Sequence, residues 1–299
     1  MSLRHFSKAI PAAVRESASC IVAEKIANKG ACAHNMFDYR LLFVKRSAKM
    51  KSWPGMSTFP GGVIDREDSD KLSQFSPIDY ISKASGSKPT DVEQVYRNTA
   101  LRELQEETNF PDNVTSESLV PWSIWQTPLS IPRRFNTVFY LTFAPSTVID
   151  LSPQEGEIES INWYSPAEIL LDDSITIAPP QIADISKFYV HKTYNELQSF
   201  ALARYQHHST HQCMPVLVNF NDGLCGINPA DSFYKQALEL QQQNISNVVK
   251  SEDSEQSNAQ KQEILCRTLL GNSRGSVVSH RAYWDGHDLS SAPSIKMVK

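Results

Sequence analysis

The 299-residue sequence lacks the features that mark several large classes of protein. No apolar run reaches the roughly 18 residues that a membrane-spanning helix needs, so we expect no membrane partner. The formal net charge is −4, whereas a nucleic-acid-binding protein is expected to carry a basic face. No internal repeat is evident. A membrane protein, a nucleic-acid-binding protein and a repeat protein are therefore not expected.

Cysteine is scarce, and no cysteine belongs to a paired pattern. The five cysteines are odd in number and widely spaced, with no C-x-x-C pair: Cys20, Cys32, Cys213, Cys225 and Cys266. Such a set is typical of reduced thiols in an intracellular protein, not of a disulfide framework. Hydrophobic residues make up 40% of the chain, which is enough for a substantial core in one large domain or two small ones.

The most informative segment that is present is a cluster of acids, Arg102-Glu103-Leu104-Gln105-Glu106-Glu107. On a helix the three glutamates share an arc about 100° wide, beside the apolar stripe that contains Val92 and Tyr96. An ordinary solvated helix face is the alternative interpretation of such a run. The position beside the buried stripe favours a site for a divalent cation, because a solvated face would lie opposite that stripe.

Glycine and basic residues accompany this cluster. The segment Trp53–Val63 contains a turn whose Gly61 and Gly62 allow close backbone approach to a ligand. A basic run precedes the turn, and the pair Arg133 and Arg134 can offer a bidentate clamp for an anion. The basic run consists of Lys45, Arg46, Lys49 and Lys51. Ordinary surface cations, with their stems on apolar neighbours, remain the alternative.

These segments resemble the box of the Nudix hydrolases, G-x5-E-x7-R-E-U-x-E-E-x-G-U, in which U is a bulky aliphatic residue. The half R-E-L-x-E-E matches throughout, and Gly62 matches the opening glycine. The box glutamate falls at Asp68, with Glu67 adjacent, and either residue can fill that position. The closing glycine is replaced by Asn109, the next best residue for a left-handed helix end.

The box is split by an insertion. Positions 68 and 102 are 34 positions apart, where the motif has eight, so about 26 residues are inserted, roughly at 69–89. A split box resembles the acyl-coenzyme A diphosphatase branch, nucleoside diphosphate-linked moiety X motif 19. Further blocks occur in the order of that branch: Trp125-x-Thr127-Pro128, Arg133–Thr137, Trp163-x-Ser165-Pro166-x-Glu168 and Ala178-Pro179-Pro180-Gln181. Coenzyme A-cleaving members also share a segment ending G-x3-F-P-G-G, which is linked to coenzyme A recognition, and Gly55–Gly62 matches it.

The resemblance implies an α/β fold, the Nudix α/β/α sandwich with a mixed sheet. The loop and helix of the box are interrupted by the insertion, and helices and strands form a C-terminal extension. We expect a short basic segment at 1–15, the Nudix domain at 16–172, and the extension at 173–299 packed on that domain, with disorder at 241–262. No pattern in the sequence indicates an oligomeric state.

Individual elements are predicted from local patterns. Strands are expected at Cys20–Ala23, Leu41–Val44, Ser123–Gln126, Val138–Phe143 and Ile158–Trp163, with further strands at Ile264–Leu270 and Val277–Trp284. Helices are expected from Thr90 or Asp91, from Ser165-Pro166, and over a long stretch from Gln181 to about Tyr205. The histidines that follow, His207, His208 and His211, are interpreted as a helix end and not as a metal site.

The resemblance also implies a reaction. It is metal-dependent hydrolysis of the pyrophosphate bond in coenzyme A or acyl-coenzyme A, giving 3′,5′-ADP and (acyl-)4′-phosphopantetheine. Glu103, Glu106 and Glu107 are the implied ligands of Mg²⁺ or Mn²⁺, and Glu103 is also the favoured residue to assist deprotonation of water. Arg102 is implied to orient this cluster. The implied substrate-binding residues are Lys51, Gly55, Phe59, Gly61, Gly62, Arg133 and Arg134.

Several alternatives stay open at this point. Glu157 lies where many members place a further catalytic glutamate, and Glu155 and Glu159 compete for that assignment. ADP-ribose, NADH or capped RNA could replace coenzyme A as substrate, and a catalytically silent binding module is the alternative of another class. By resemblance the compartment is mitochondrial or peroxisomal. The segment Met1–Arg15 only weakly resembles a presequence, and Met297-Val298-Lys299 is not an S-K-L signal.

Overall fold

The computed structural model describes residues 13–26, 36–66, 72, 91–144, 150–172, 174–206, 210, 212–221, 223–243 and 248–251, together with the backbone of 265–270, 276–281, 283–284 and 287–288. Several predictions lie outside the described residues: nearly all of the insertion at 69–89, the choice between Glu67 and Asp68, and the three histidines after residue 206.

Eight strands form the main sheet. They are β1 (Val14–Lys25), β2 (Tyr39–Arg46), β3 (Ser57–Thr58), β4 (Gly61–Val63), β5 (Val120–Gln126), β6 (Arg134–Ala144), β7 (Ile158–Tyr164) and β8 (Gln212–Cys213). The order is β3-β2-β1-β6-β5-β8, with β4 paired to β1 and β7 paired to β2. Strands β1 and β6 are parallel, as are β5 and β8, while the other pairs are antiparallel. The predicted mixed sheet is confirmed.

Helices cover both faces of this sheet, because successive residues of a strand point to opposite sides. On β1, Cys20 and Val22 pack with helix α1 (Asp91–Thr108), whereas Ile21 and Ala23 pack on the other side. That second side is covered by α2 (Pro166–Leu171), α3 (Pro179–Val190) and α4 (Tyr194–Gln206). The predicted α/β/α sandwich is therefore confirmed.

The box helix α1 begins at Asp91 and ends where Asn109 takes a left-handed conformation, with φ of 52°. Tyr96, Ala100 and Leu104 place its apolar face against the sheet. A fully buried ion pair between Glu93 and Arg97 fastens the same helix, because the Arg97 guanidinium also donates to the carbonyls of Ser116 and Leu119. The acid cluster thus lies on a helix that is fixed by apolar packing on the sheet and by the hydrogen bonds of Arg97.

Two adjacent helices replace the long stretch predicted between Gln181 and Tyr205, and that prediction was wrong in this respect. Helix α3 ends at Val190, and the Thr193 hydroxyl accepts a hydrogen bond from the Glu196 amide at 3.2 Å. The Glu196 carboxylate accepts one from the Thr193 amide at 3.1 Å. This reciprocal pair is a capping box, which starts α4 as a new helix. The predicted start of α2 is confirmed by a similar box between Ser165 and Glu168.

The C-terminal part has a second sheet with its own core. Its strands are β9 (Val216–Phe220), β10 (Gly223–Ile227), β11 (Val249–Lys250), β12 (Leu265–Leu270) and β13 (Ser276–Arg281), in the order β11-β9-β10-β12-β13. Helix α5 (Tyr234–Gln243) packs its Ala237 into a cluster with Val216, Val218 and Phe220. A short hairpin follows, with strands β14 (Tyr283–Trp284) and β15 (His287–Asp288). The strands predicted after residue 263 are confirmed.

Three predicted boundaries need correction. Val14 and Arg15 belong to β1 and pair in parallel with β6, so the basic N-terminal segment does not extend to residue 15. Strand β8 joins the main sheet beside β5, so this sheet includes residues beyond the predicted domain end at 172. The predicted disorder at 241–262 is wrong for 241–243, which close α5 with Gln241 buried, and for the strand β11. The rest of that range, apart from 248–251, lies outside the described residues.

Two further features concern the classes of protein considered above. No helix in the described part of the chain is long and apolar enough to cross a membrane. Cys20, Cys213 and Cys225 are buried, and burial raises the pKa of Cys20 to about 12. These three cysteines therefore pack as small apolar side chains.

Candidate active site

The site begins with the glycine turn, which hydrogen bonds attach to strand β1 and to helix α3. The carbonyl of Pro60 accepts hydrogen bonds from the Cys20 amide at 2.9 Å and from the Ser19 hydroxyl at 2.8 Å. The Phe59 ring is buried and lies 4.5 Å from the Phe43 ring. The Phe59 amide donates to Gln181 Oε1 on α3 at 3.3 Å. The backbone of the turn is therefore fixed before any ligand binds.

The two glycines bring this turn against the acidic end of α1. The Gly61 amide donates to Glu107 Oε2 at 3.0 Å. A Cβ atom at Gly62 would lie 2.3 Å from the carboxylate of Glu103, so only glycine permits this approach. A Cβ atom at Gly61 would meet the carbonyl oxygen of Ala18 at 2.7 Å. Gly62 thus makes room for a site carboxylate, while Gly61 makes room for the neighbouring strand.

Arg102 gathers the carboxylates at the exposed edge of the cluster. Its guanidinium lies 3.0 Å from Glu103, 3.0 Å from Glu106 and 3.6 Å from Asp65, and it donates to the Val63 carbonyl at 3.3 Å. Burial lowers the pKa of Arg102, but the three carboxylates outweigh burial, so that the pKa is raised. The structure therefore brings together Arg102, Glu103 and Glu106, which were all named from the sequence.

Glu107 lies deeper than the other two glutamates, with 3% of the residue exposed. Burial raises the pKa of its carboxyl to about 8, and the charges of Glu103 and Glu157 act in the same direction. The Gly61 amide and Arg46, whose guanidinium lies 3.6 Å away, oppose this shift without cancelling it. Burial likewise raises the pKa of Glu103. The positive charges beside these carboxylates, Arg102 next to Glu103 and Arg46 next to Glu107, therefore do not offset the effect of burial on their pKa values.

The donor chemistry of this cluster fits a hard divalent cation. Carboxylate oxygens are ligands that Mg²⁺ and Mn²⁺ prefer, and a cation beside Glu103 and Glu107 would offset the burial that raises their pKa values. Within the described ranges, no three His, Cys, Asp or Glu side chains are arranged to hold a metal ion. Arg102 occupies Glu103 and Glu106, and Glu107 faces Gly61. A bound metal ion would therefore share the carboxylates of Glu103 and Glu106 with Arg102.

The structure separates the three glutamates that competed for a further catalytic role. The backbone carbonyl of Glu157 accepts from the Ser47 amide at 2.7 Å, and the charge of Glu157 contributes to the raised pKa of Glu107. Glu159 instead forms an exposed ion pair with Lys45 at 2.9 Å. Glu155 and Glu157 are both exposed in the turn that precedes β7. The effect of its charge on Glu107 is what favours Glu157, and its catalytic role stays a prediction.

Three of the predicted substrate-binding residues lie in or beside one loop. Lys51, Gly55 and Arg133 lie together, because the Arg133 guanidinium donates to the Lys51 carbonyl at 3.4 Å and Gly55 closes the same loop. The Arg46 guanidinium joins this loop to the acids, since it also donates to the Ser52 carbonyl at 3.2 Å. Sequence spacing gave no signal for its contact with Glu107, which lies 61 positions away.

Two of the predicted substrate-binding residues are buried. Phe59 is 2% exposed and packs in the core, where its ring anchors the turn. Arg134 is buried, donates to the Thr127 carbonyl at 3.3 Å and has a pKa lowered by burial, whereas Arg133 is exposed. The predicted bidentate clamp is wrong because strand β6 begins at Arg134 and turns this side chain into the protein.

The fold and the site together define a hydrolase that places a glycine turn against a helical acid cluster. A family model described as NUDIX domain matches residues 29–185, which is more than half of the chain. The protein belongs to the Nudix family. It is a pyrophosphohydrolase that acts on phosphorus-containing anhydrides, and members of this family generally use divalent metals such as Mg²⁺ or Mn²⁺.

NUDT19, a member of the branch that the split box indicated, is among the similar proteins. The chain is 26% identical to the acyl-coenzyme A diphosphatase NUDT19 of Xenopus laevis, over 69% of this chain and 74% of the relative. It is 26% identical to the putative nudix hydrolase 7 of Caenorhabditis elegans, over 50% of this chain and 55% of the relative. A solved structure of a NUDIX hydrolase from Alicyclobacillus acidocaldarius is 19% identical, with a TM-score of 0.49, and the match covers 63% of this chain and 96% of that one.

Proposed function

We propose that the protein hydrolyses the pyrophosphate bond of coenzyme A or acyl-coenzyme A in the presence of Mg²⁺ or Mn²⁺. The products are 3′,5′-ADP and 4′-phosphopantetheine or its acyl derivative. The observation that carries this proposal is the hydrogen bond from the Gly61 amide to Glu107. It joins the G-x3-F-P-G-G segment, linked to coenzyme A recognition, to the acids of the split box. The similarity to NUDT19 supports the same substrate class.

The acid cluster would supply the ligands and the base. Glu103, Glu106 and Glu107 would hold the metal, which when bound neutralises the pyrophosphate and lowers the pKa of a coordinated water. The Glu103 carboxyl accepts the proton of the attacking water, and burial raises its pKa towards the working pH, as suits a general base. Arg102 keeps Glu103 in place through their 3.0 Å ion pair.

The bond changes are those of a hydrolysis. The water oxygen forms a bond to one phosphorus atom, the bridging phosphorus–oxygen bond breaks, and the second phosphate leaves with the bridging oxygen. Glu103 holds the proton taken from water. The Gly61 amide holds the Glu107 carboxylate in one orientation throughout, because the turn that carries Gly61 is fixed by β1. The cations of the loop near Lys51 and Arg133 offer charge to the phosphates of the substrate.

One incubation separates the candidate functions. Purified protein and Mg²⁺ are mixed separately with coenzyme A, an acyl-coenzyme A, ADP-ribose, NADH and capped RNA, and the products are identified by mass spectrometry. Release of 3′,5′-ADP and 4′-phosphopantetheine is expected, together with loss of turnover in Glu107→Gln. Turnover of ADP-ribose, NADH or capped RNA alone would assign a different Nudix substrate. Turnover of none of them, or full activity in Glu107→Gln, would overturn the proposal.

A further inference from the structure

An exposed tryptophan stands at the tip of the loop beside the acids. Trp53 is 47% exposed, and its φ of 52° lies in the left-handed region that a bulky side chain rarely adopts. Such a conformation is strained and persists only where the surroundings impose it. Here the strain does not bury the indole but presents it to solvent. The backbone therefore holds an aromatic surface outside the core.

The loop that carries Trp53 is closed at its base and attached to the site. The Gly55 amide donates to the Arg46 carbonyl at 3.1 Å, and the Arg46 amide donates to the Met56 carbonyl at 2.9 Å. The Met56 amide donates to the Trp53 carbonyl at 3.4 Å. Because one guanidinium, that of Arg46, contacts both the Ser52 carbonyl and Glu107, the backbone of this loop has a set position relative to the acids.

Three cations lie in this loop or contact its backbone. Lys49, Lys51 and Arg133 form no ion pair with any carboxylate in the part of the chain that the structure describes. The Arg133 guanidinium donates to the carbonyl of Lys51, two positions before Trp53. Lys45, by contrast, is paired with Glu159. The loop thus combines an exposed aromatic face with positive charge that nothing in the described residues neutralises.

We propose that Trp53, Lys51 and Arg133 form a subsite for a nucleoside 3′-phosphate. The indole stacks on the base, and Lys51 and Arg133 pair with the phosphate of the ribose. The inference rests on the proposed function, because coenzyme A carries a ribose phosphate in addition to its pyrophosphate. ADP-ribose and NADH carry no such group. The subsite would therefore select coenzyme A derivatives among Nudix substrates.

Nucleotide binding tests the subsite without requiring turnover. The affinities of 3′,5′-ADP and 5′-AMP are measured by calorimetry for the full chain and for five variants: Trp53→Leu, Trp53→Phe, Lys51→Gln, Arg133→Gln and Lys235→Gln. Trp53→Leu should weaken both nucleotides about tenfold, since base stacking on an aromatic ring contributes of that order. Trp53→Phe keeps a ring and should restore most of the affinity. Quenching of tryptophan fluorescence by 5′-AMP should be smaller in Trp53→Phe than in the wild type.

The two cations should act on one nucleotide only. Arg133→Gln and Lys51→Gln should each lower the affinity for 3′,5′-ADP about tenfold and change the affinity for 5′-AMP less than about twofold, because 5′-AMP lacks the 3′-phosphate. Lys235→Gln removes an exposed lysine from α5 and should change neither affinity. Weak binding of 3′,5′-ADP to the wild type would overturn the subsite, as would equal losses for both nucleotides in Arg133→Gln or an unchanged affinity in Trp53→Leu. If the variants show the expected affinity changes but coenzyme A is not hydrolysed, the subsite is supported and the proposed reaction is wrong.

Discussion

Replacing Glu107 by Gln should change how the stability of the metal-free protein depends on pH. The Glu107 carboxyl is buried, and its pKa is raised to about 8 from an ordinary value of 4.5. The amide oxygen of Gln can still accept the hydrogen bond from Gly61, so the substitution removes the charge and keeps the contact. The difference between variant and wild type therefore isolates the ionisation of one carboxyl.

The sign follows from proton binding. Between pH 4.5 and about 8 the folded chain keeps the proton on Glu107 while the unfolded chain has lost it. The free energy of unfolding of the wild type therefore falls as the pH rises through this window, by about 5 kcal/mol at full ionisation. Gln cannot ionise, so the free energy of unfolding of the variant does not fall in this way. The variant should be close to the wild type at about pH 4.5 and several kcal/mol more stable at about pH 9.

Urea unfolding followed by circular dichroism, at several pH values and with a chelator present, measures this difference. Glu106→Gln, which removes a half-exposed carboxylate from the same helix, controls for the change in net charge. A stability difference between Glu107→Gln and wild type that stays constant from about pH 5 to 9 would refute the reasoning. Adding Mg²⁺ at about pH 8 should then stabilise the wild type and not the variant, since a ligand stabilises the state that binds it.

Three further predictions use the same geometry. Gly62→Ala should abolish most activity while the melting temperature stays nearly unchanged, because the added Cβ displaces only the end of the Glu103 side chain. Gly61→Ala should instead lower the melting temperature, because the added Cβ meets the backbone of β1. Arg102→Lys should reduce kcat/KM about tenfold or more, because one ammonium cannot hold Glu103, Glu106 and Asp65 together, and an unchanged value contradicts this. The affinity for Mg²⁺, measured by calorimetry, should rise between about pH 6 and 8 with release of a proton, and a pH-independent affinity excludes Glu107 as a ligand.

Local signals in the sequence were sufficient for the elements that carry the site. The Ser165-Pro166 pair predicted the start of α2, and the spacing of Tyr96, Ala100 and Leu104 agrees with the buried face of α1. The break before α4 had an equally local signal, the capping box of Thr193 and Glu196, which the apolar periodicity on either side concealed. The segment at 241–243 was predicted as disorder from its glutamines, yet Gln241 lies on the buried side of α5.

Contacts between distant segments were not predictable in the same way. The direction of Arg134 depends on where β6 begins, and a change of one residue in that start moves the side chain to the other face. Phe59 was predicted as a ligand contact because its motif is linked to coenzyme A recognition, but its ring packs in the core and its amide donates to Gln181. Arg46 was visible only as part of a basic run, since nothing local relates it to Glu107.

Two arginines contact different carboxyl groups of the site. Arg102 is engaged by Glu103, Glu106 and Asp65, while Arg46 lies between Glu107 and the loop that carries Trp53. Against two guanidinium groups the site places four carboxyl groups, and a pyrophosphate adds further negative charge. Like charges at these separations repel by a few kcal/mol each even at an effective dielectric constant of about 20. Metal and substrate are therefore expected to increase each other's affinity, and by linkage the two effects must be equal.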